Sequence, residues 1–412
     1  MFSRAGRWAR SAVITAALSC LFIGSLGQAE ASPRRAAGVG HGLELVATVP
    51  YQDGTHLAHT TIKGREYFFA ANQGAGAQLR VIDVTNPPKP KLVAQINCGY
   101  FQGNLQVSSD RKTLILGVDG PTTDGSCIPG QDEGFATIDI SNPLRPTPIG
   151  FASIPGGSHS TAAHPTEPFV YNAPEGSAVP DRPPIGDLEV WSIANPAKPK
   201  LVNTVKMPGV HSPHDISFNK DGSMAAIASI SGFQLLDTSD PKNPVIEWNG
   251  QCPGCQHAHE ARFTADSKTL VVNDESMTGA AYPCPGGALY FYDIAGSPGS
   301  RVPELVGTYS PGDIGVTAAS TPGFCTAHVF DISPDGTKIA LSWHADGIRY
   351  LDIKQHTGYT FGTTWSSGPE AVKELGSYTN PSGDYFVAKF HKGPYIYAVD
   401  MTEGFEVFKI TE

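Results

Sequence analysis

The sequence lacks the features that mark several common classes of protein. Charged residues make up only 17% of its 412 residues, and acidic residues outnumber basic ones, so the formal net charge is −10. A nucleic-acid partner needs a basic protein face that neutralises phosphates, and this balance therefore argues against one. After residue 26, no segment approaches the roughly 18 apolar residues of a membrane-spanning helix. We therefore expect no transmembrane span.

Three familiar catalytic motifs are also absent. The sequence contains no GxSxG nucleophile elbow, no HExxH zinc motif and no glycine-rich phosphate loop. Glycine and proline, by contrast, are abundant, at 45 and 34 residues. Turn-forming residues in such numbers, together with few charged residues, favour an all-β chain over a helical one.

The N-terminus has the order of a secretory signal peptide. Three arginines among the first ten residues precede an apolar stretch from Ala12 to Leu26, and the small-residue pattern Ala29-Glu30-Ala31 follows. A basic segment, an apolar core and a small-residue cleavage site predict a signal peptide over residues 1–31 and an extracytoplasmic location, secreted or at the cell surface. Leu18-Ser19-Cys20 leaves a lipoprotein signal open, with Cys20 as the anchor.

One phrase recurs along residues 32–412. It begins with an alternating apolar run that ends in Asp or an equivalent residue, and in several copies Asn-Pro and Lys-Pro follow. Period-two alternation predicts a half-buried β-strand, and the prolines, which cannot extend a central strand, predict a turn. The seven copies are 79–84, 135–140, 188–193, 233–237, 289–294, 348–353 and 405–408.

Further strand signals flank each copy. Segments such as Lys91-Leu92-Val93 follow it, and tight turns such as Asn219-Lys220-Asp221-Gly222 precede it. Four strands in about 50 residues, repeated seven times, predict a single seven-bladed β-propeller of four-stranded blades over residues 32–412. A series of β-sandwich domains is the alternative, but no linker-like segment interrupts the repeats.

The recurring phrase resembles propellers of the LVIVD-repeat type. More distantly, it resembles the selenium-binding protein and methanethiol oxidase group, whose repeats carry phrases similar to Tyr292-Asp293-Ile294. The resemblance covers nearly all of residues 32–412 and implies the propeller fold. The second group also implies copper and the oxidation of a small molecule with oxygen, although one fold hosts many functions.

Histidines occupy equivalent positions in several blades. Counting seven residues back from the turn aspartates of three blades reaches a histidine each time, and a looser alignment gives a histidine in two more blades. These positions start the predicted inner strands, which converge on the central channel. The five histidines are His59, His159, His214, His259 and His328. The other two blades have Gly103 and Asp384 there.

A ring of imidazoles around one axis suits a metal ion. Neutral imidazole is the commonest metal ligand in proteins, and a mostly imidazole site suits copper, iron or zinc. We therefore predict that the five histidines hold a metal ion, and the family resemblance favours copper. In the alternative, each histidine is structural and hydrogen-bonds the neighbouring blade.

Other polar residues are expected at the same end of the channel. Those predicted to be catalytic are His211, His257, Glu260 and His344. Asp215, Asp274 and Glu275 are candidates for orienting metal ligands or for acid–base chemistry. His56 is also expected on this face. His164 and His391 are expected at the surface of the opposite face, and His356 in an outer loop.

Six cysteines follow the predicted leader, and an even number in an exported protein indicates disulfides. Their positions in the loops suggest the pairs Cys98–Cys127, Cys252–Cys255 and Cys284–Cys325. Cys252-Pro253-Gly254-Cys255 is a CxxC, but a zinc site needs a second close pair, which is absent. Metal ligation by Cys255 or Cys325 beside the histidines is the alternative.

These features together predict a secreted metal-dependent enzyme, an oxidoreductase that acts on a small-molecule substrate at a histidine-lined site on the propeller axis. Two other functions stay open. One is a non-enzymatic binding propeller, in which the histidines are structural. The other is a metal-free lyase, isomerase or cyclase that uses histidine and carboxylate pairs as acid and base.

Overall fold

The recurring phrase forms the third strand of an antiparallel sheet in each of seven blades. In the computed structural model, the described residues are 38–74, 78–98, 103–119, 133–174, 186–208, 212–276, 286–311, 325–353 and 372–411. They form an all-β, seven-bladed propeller, as the sequence predicts, and contain no helix that could cross a membrane. The predicted signal peptide lies outside the described residues.

Within a blade, four consecutive strands run from the channel to the rim. Blade one comprises β3 (Gly54–Ile62), β4 (Arg65–Asn72), β5 (Gln78–Asp83) and β6 (Lys91–Asn97). Blade two comprises β7 (Leu105–Val107), β8 (Thr113–Val118), β9 (Gly134–Asp139) and β10 (Thr147–Ser153). Blade three comprises β11 (Ser160–Ala163), β12 (Phe169–Ala173), β13 (Leu188–Ser192) and β14 (Lys200–Val205).

The next three blades repeat this order. Blade four comprises β15 (Asp215–Phe218), β16 (Met224–Ser229), β17 (Gly232–Asp237) and β18 (Val245–Gln251). Blade five comprises β19 (Ala258–Phe263), β20 (Thr269–Asp274), β21 (Ala288–Asp293) and β22 (Glu304–Tyr309). Blade six comprises β23 (Phe330–Ile332), β24 (Lys338–Ser342), β25 (Ile348–Asp352) and β26 (Lys373–Thr379).

The two ends of the chain together complete the seventh blade. Its inner strands are β27 (Tyr385–Phe390), β28 (Tyr395–Asp400) and β29 (Gly404–Ile410), and β2 (Leu43–Pro50) supplies the outer strand. The pairing of β2 with β29 runs from Leu43 opposite Ile410 to Pro50 opposite Gly404. The preceding strand, β1 (Val39–His41), adds a fifth strand to blade six by pairing with β26. This closure links the first and last blades through backbone hydrogen bonds.

Five of the seven third strands end in an aspartate, which explains the turn after them. The Asp83 carboxylate accepts the Thr85 N–H at 2.9 Å, and Asp237 and Asp293 accept the N–H two residues further on, at 2.8 Å each. Such a bond mimics a backbone turn and leaves the next residues free of the sheet. The Asn-Pro segment that follows closes a second turn, because the Lys89 N–H donates to the Asn86 carbonyl at 2.9 Å.

Apolar side chains of neighbouring blades interlock between the sheets. Phe68 of blade one is fully buried, and its ring centroid lies 4.6 Å from that of Tyr397 and 5.4 Å from that of Phe405, both in blade seven. Burying an aromatic side chain of this kind stabilises the fold by about 1.5–3 kcal/mol. The packing sets the blades around one axis, so the starts of all the inner strands meet at one end of the channel.

The disulfides agree with the prediction where the described residues reach. Cys252 and Cys255 form a disulfide with a Cα–Cα distance of 5.3 Å. Cys98 and Cys325 are disulfide-bonded as well. Their predicted partners, Cys127 and Cys284, lie outside the described residues, so those pairings stay predictions. Because Cys255 and Cys325 are both oxidised, neither offers the thiolate that metal ligation requires.

Candidate functional site

Five histidines form a continuous arc at the start of the inner strands of blades three to six. Each imidazole centroid lies 4.3–4.4 Å from the next one in the arc, and every ring is at least 95% buried. In order, the arc consists of His159, His214, His259, His328 and His344. Four of the five predicted metal ligands thus lie together in the structure. His344, in the turn between β24 and β25, is the fifth member of the arc.

His59, the fifth predicted ligand, does not join this arc. Its ring instead packs against His391, 4.2 Å between centroids, and against Phe68. Blade one has a two-residue turn, Lys63-Gly64, where blade four has five residues between β15 and β16, so the looser alignment chose a position too far along the strand. The seven-residue count from Lys63 reaches His56. The blade-one histidine nearest the arc is His56, which lines a small cavity together with three arc histidines.

Glu275 lies at the centre of the arc. Its two carboxylate oxygens lie 3.6 Å from His259 Nε2, 3.9 Å from His328 Nε2 and 3.7 Å from His344 Nε2. His257 Nδ1 is a fourth neighbour, at 3.7 Å. Burial raises the pKa of Glu275, but the attraction of His344, His328 and His257 outweighs burial and lowers that pKa to about 2. A buried carboxylate is therefore held ionised among four imidazoles.

Four of the five arc histidines have Nδ1 anchored to the protein; among the described residues, His259 Nδ1 has no hydrogen-bond partner. His328 Nδ1 lies 2.6 Å from the Phe386 carbonyl, and His344 Nδ1 lies 2.6 Å from the Asp384 carboxylate. Such acceptors bind the Nδ1–H and leave the Nε2 lone pair directed inward, which is the arrangement of metal-ligating histidine. His214 follows the same pattern, with Nδ1 2.9 Å from the His259 carbonyl.

His344 also has an unusual backbone conformation. Its φ angle is +41°, in the left-handed region that a non-glycine residue rarely adopts. A tight turn maintains it, because the Trp343 N–H donates to the Gly347 carbonyl at 2.7 Å and the Gly347 N–H to the His344 carbonyl at 3.0 Å. Strain of this kind persists only where surrounding structure imposes it, and it is common at functional sites. The turn points the His344 ring at Glu275.

Nearby carboxylates explain why the pKa of His344 differs from the pKa values of the neighbouring histidines. Burial alone lowers the pKa of a histidine, and it lowers that of His328 to about 4. At His344 the hydrogen-bonding carboxylates of Asp384 and Glu275 overcome burial and raise the pKa to about 9. Burial and the facing imidazoles keep the pKa of His259 well below its ordinary value. The arc thus combines a cationic imidazole with neutral ones.

The other end of the arc is a hydrogen-bonded relay. His159 Nδ1 lies 2.7 Å from an Asp119 carboxylate oxygen, and His159 Nε2 lies 2.9 Å from His214 Nε2. A carboxylate that orients one imidazole, which then contacts a second, is an arrangement used to move protons. Asp119 is 5% exposed, so solvent screens this pair weakly.

A layer of charged residues lies next to the imidazoles along the channel. The Arg262 guanidinium pairs with Glu260, whose second oxygen accepts the Phe330 N–H at 2.8 Å. Burial and the Glu260 carboxylate raise the pKa of Asp215 to about 7, whereas burial and Arg262 lower the pKa of Lys389. The predicted acid–base residue Glu260 is therefore an ion-pair partner of Arg262.

The remaining predicted residues take several positions. His257 lies beside the arc, 4.7 Å from His214 between ring centroids, whereas His211 and His356 lie outside the described residues. His164 and His391 do lie in turns at the opposite end, but the surface prediction is wrong for His164. Its ring is buried, and Nε2 lies 3.0 Å from the Gly222 carbonyl. His391 is half-buried beside Glu66.

Sequence reasoning missed Asp119 and the role of Asp384, and gave Glu275 only a supporting part. A second count would have found all three of the polar groups that follow second strands. Nine residues after the turn residues Asp110, Asp266 and Asp335 come Asp119, Glu275 and His344. Because the second strand runs back toward the start of the first, a polar residue at its end returns to the histidine end of the channel. Asp384 had been found by the first count but had no partner to suggest its role.

Comparisons with known proteins agree on the fold. The LVIVD repeat family model matches residues 126–151. No curated protein matches the chain. The β-propeller domain of Cps50 (Swd1) from Myceliophteria thermophila superposes with a TM-score of 0.60 at 11% identity, covering 89% of this chain and 99% of that domain. A functionally unknown protein from Desulfotomaculum acetoxidans gives 0.53 at 15% identity, covering 78% and 89%. At these identities the likeness to the solved structures concerns the β-propeller fold alone. The LVIVD repeat is a separate match of the sequence.

Proposed function

We propose that this chain is an exported, metal-dependent oxidoreductase that acts on a small molecule at the histidine arc. The observation that carries the proposal is the convergence of His259, His328 and His344 on the Glu275 carboxylate, with Nε2–oxygen distances of 3.6–3.9 Å. Two ligand atoms about 2.1 Å from one ion are roughly 3.4 Å apart in a tetrahedral site, so small side-chain movements would suffice to enclose a metal.

The donor set restricts the choice of metal. Imidazoles with one carboxylate suit copper, iron and zinc, and do not suit the hard ions magnesium and calcium, which prefer oxygen. Copper binds such sites most tightly among the divalent first-row metals, and the family resemblance also favours it. Two imidazoles and a carboxylate also resemble the ligand set of non-haem iron, which makes iron the second choice.

The residues around the metal position have separable roles. The metal would supply the electron acceptance that an oxidation requires. Asp384 and the Phe386 carbonyl would orient His344 and His328 with Nε2 toward the metal, which would displace the Nε2 proton of the cationic His344. His159 and His214, oriented by Asp119, would accept the proton that the substrate loses. A cavity of about 20 Å³, room for about one water, adjoins His159, His214 and His259 on the side of the charged layer.

Metal loading followed by an activity screen tests this proposal. Chain 32–412 is reconstituted with Cu(II), Fe(II) or Zn(II), desalted and analysed for metal, and oxygen uptake is followed with small thiols, alcohols and aldehydes. We expect about one copper ion per chain, nitrogen hyperfine splitting in its electron paramagnetic resonance spectrum, and oxygen uptake with at least one substrate class. Glu275→Gln should lose the metal, whereas the control variant His41→Ala, at an exposed position, should retain it. Failure of wild-type protein to retain any of the three metals would refute the proposal.

A metal-free acid–base enzyme is the second candidate, and one observation favours it. The Asp119–His159–His214 chain, with links of 2.7 and 2.9 Å, is complete without a metal. A lyase, isomerase or cyclase of this kind would keep its activity in a chelator and lose it on Asp119→Asn. Activity that disappears in the chelator and returns with copper would exclude this candidate.

A further inference from the structure

A second cavity lies at the opposite end of the inner strands, beyond the turns that join β3, β7, β11 and β27 to their neighbours. Its volume is about 380 Å³, within the roughly 300–1,000 Å³ of small-molecule sites. Most of the lining residues are polar; the lining comprises His59, Thr60, Thr61, Val107, Ser108, Ser109, Arg111, Pro165 and His391. None of these residues belongs to the histidine arc.

The carboxylates beside this cavity already have partners. Glu66 accepts hydrogen bonds from Thr61 Oγ1 at 2.6 Å and from Lys392 Nζ at 3.4 Å, and lies 2.9 Å from His391 Nε2. Asp110 accepts the Ser108 hydroxyl at 2.7 Å and the Lys112 N–H at 3.0 Å. Within the described parts of the chain, the Arg111 guanidinium has no such partner. The cavity is therefore left with one uncompensated positive charge.

Arg111 occupies a position that favours glycine. Its φ angle is +59°, and the corresponding turn residues Gly222 and Gly336 have φ angles of +80° and +73°. Glycine adopts this conformation without steric cost, whereas any residue with a Cβ is strained there. Two other blades have glycine at this turn position, and blade five has Ser267, with a φ angle of +58°. Of these two strained non-glycine residues, Arg111 is the one whose side chain lines the cavity.

We infer that this cavity binds a small hydrophilic anion that bears a carboxylate or a phosphate group. The Arg111 guanidinium is a planar fork that matches two oxygens of either group. The hydroxyls of Ser108 and Ser109 and the His59 and His391 imidazoles provide neutral hydrogen-bonding groups for the rest of the ligand. The inference is independent of any metal in the histidine arc.

Calorimetric titration at low ionic strength tests the inference. Inorganic phosphate and D-gluconate are the two probes, and neutral D-glucose is the control ligand. We expect saturable binding of at least one anion and none of glucose. Arg111→Gln should weaken that binding about tenfold or more, since one charged bidentate contact is lost. Lys112→Gln, an exposed cation in the same turn that does not line the cavity, should leave it unchanged.

Arg111→Gly separates binding from folding. It keeps the turn and removes the side chain, so it should abolish anion binding while the melting temperature stays the same or rises. Binding by phosphate but not gluconate would identify a phosphate site, and the reverse a carboxylate site. Absence of binding by both anions in wild-type protein, or equal losses in Arg111→Gln and Lys112→Gln, would overturn the inference.

Discussion

The two ends of the inner strands come from the same repeat but have opposite chemistry. At the starts of the strands, buried imidazoles surround the ionised Glu275. At the far ends, hydroxyls, two imidazoles and Arg111 line a cavity of about 380 Å³. The difference shows that the repeat builds the frame, whereas single substitutions at equivalent turn and strand positions build the sites.

The charged layer between the two ends should give the largest effect when it is broken. Arg262→Met removes the cation that pairs with the buried Glu260 carboxylate. A second acidic residue, Asp215, remains nearby. Removing one partner of a buried ion pair costs about 3–5 kcal/mol, and we expect that loss in the free energy of unfolding, measured with urea. Arg145→Met, at an exposed turn, is the control. A loss below about 1 kcal/mol would mean that solvent already screens the pair.

The next largest effect should come from weakening the contact that orients His344. Asp384→Asn weakens the carboxylate contact to His344 Nδ1, now 2.6 Å, and should reduce copper affinity about 10–100-fold, measured by competition with a chelator. Asp119→Asn makes the same change at His159, at the other end of the arc, and should leave copper affinity within about threefold. Equal losses in both variants would mean that the metal does not lie at Glu275.

Substitutions at the strained turn position should change the stability less, and in opposite directions in blades two and four. Arg111→Gly removes a Cβ from a left-handed position and should stabilise the protein by about 1 kcal/mol. Gly222→Ala places a Cβ in the same conformation, 2.6 Å from His164 Nε2, and should destabilise it by about 1 kcal/mol or more. Unfolding midpoints in urea measure both. Destabilisation by Arg111→Gly would show that the arginine contributes packing that outweighs the strain.

The smallest expected effect on stability concerns the turn after the third strand of a blade, where the aspartate accepts a backbone N–H. The backbone and side-chain hydrogen bonds of Ser239 lower the pKa of Asp237, so its ionised form is bound more tightly in the folded state. Its contribution is present above the unfolded-state pKa and is lost as pH falls through the folded-state pKa. The difference in urea midpoint between wild type and Asp237→Asn should therefore be largest near neutral pH and shrink in acid. A difference independent of pH would mean that the charge contributes nothing.

Local patterns predicted most of the fold. The alternating runs and the Asp-turn sequences gave seven blades of four strands, because strand and turn signals are set by neighbouring residues. The closure was not predicted: β2 pairs with β29 about 360 residues away, and pairing over that distance leaves no local pattern. The fifth strand in blade six, β1, was missed for the same reason.

The candidate site was predicted in part for a related reason. A count from a turn works where the turn length is constant, so His214, His259 and His328 were placed together. The looser alignment used for blade one failed for His59, because the turn there is shorter than in blade four. The central position of Glu275 depends on the neighbouring blades five and six packing side by side, and side-chain convergence of that kind is a property of packing.

Anomalous diffraction at the copper absorption edge tests the central claim most directly. Crystals of copper-loaded protein should show one strong anomalous peak, about 2.0–2.2 Å from a Glu275 oxygen and from Nε2 of His259, His328 and His344. The peak should be absent in crystals of Glu275→Gln. A peak elsewhere in the channel, or a histidine arc that remains hydrogen-bonded and free of metal in copper-loaded crystals, would contradict the account.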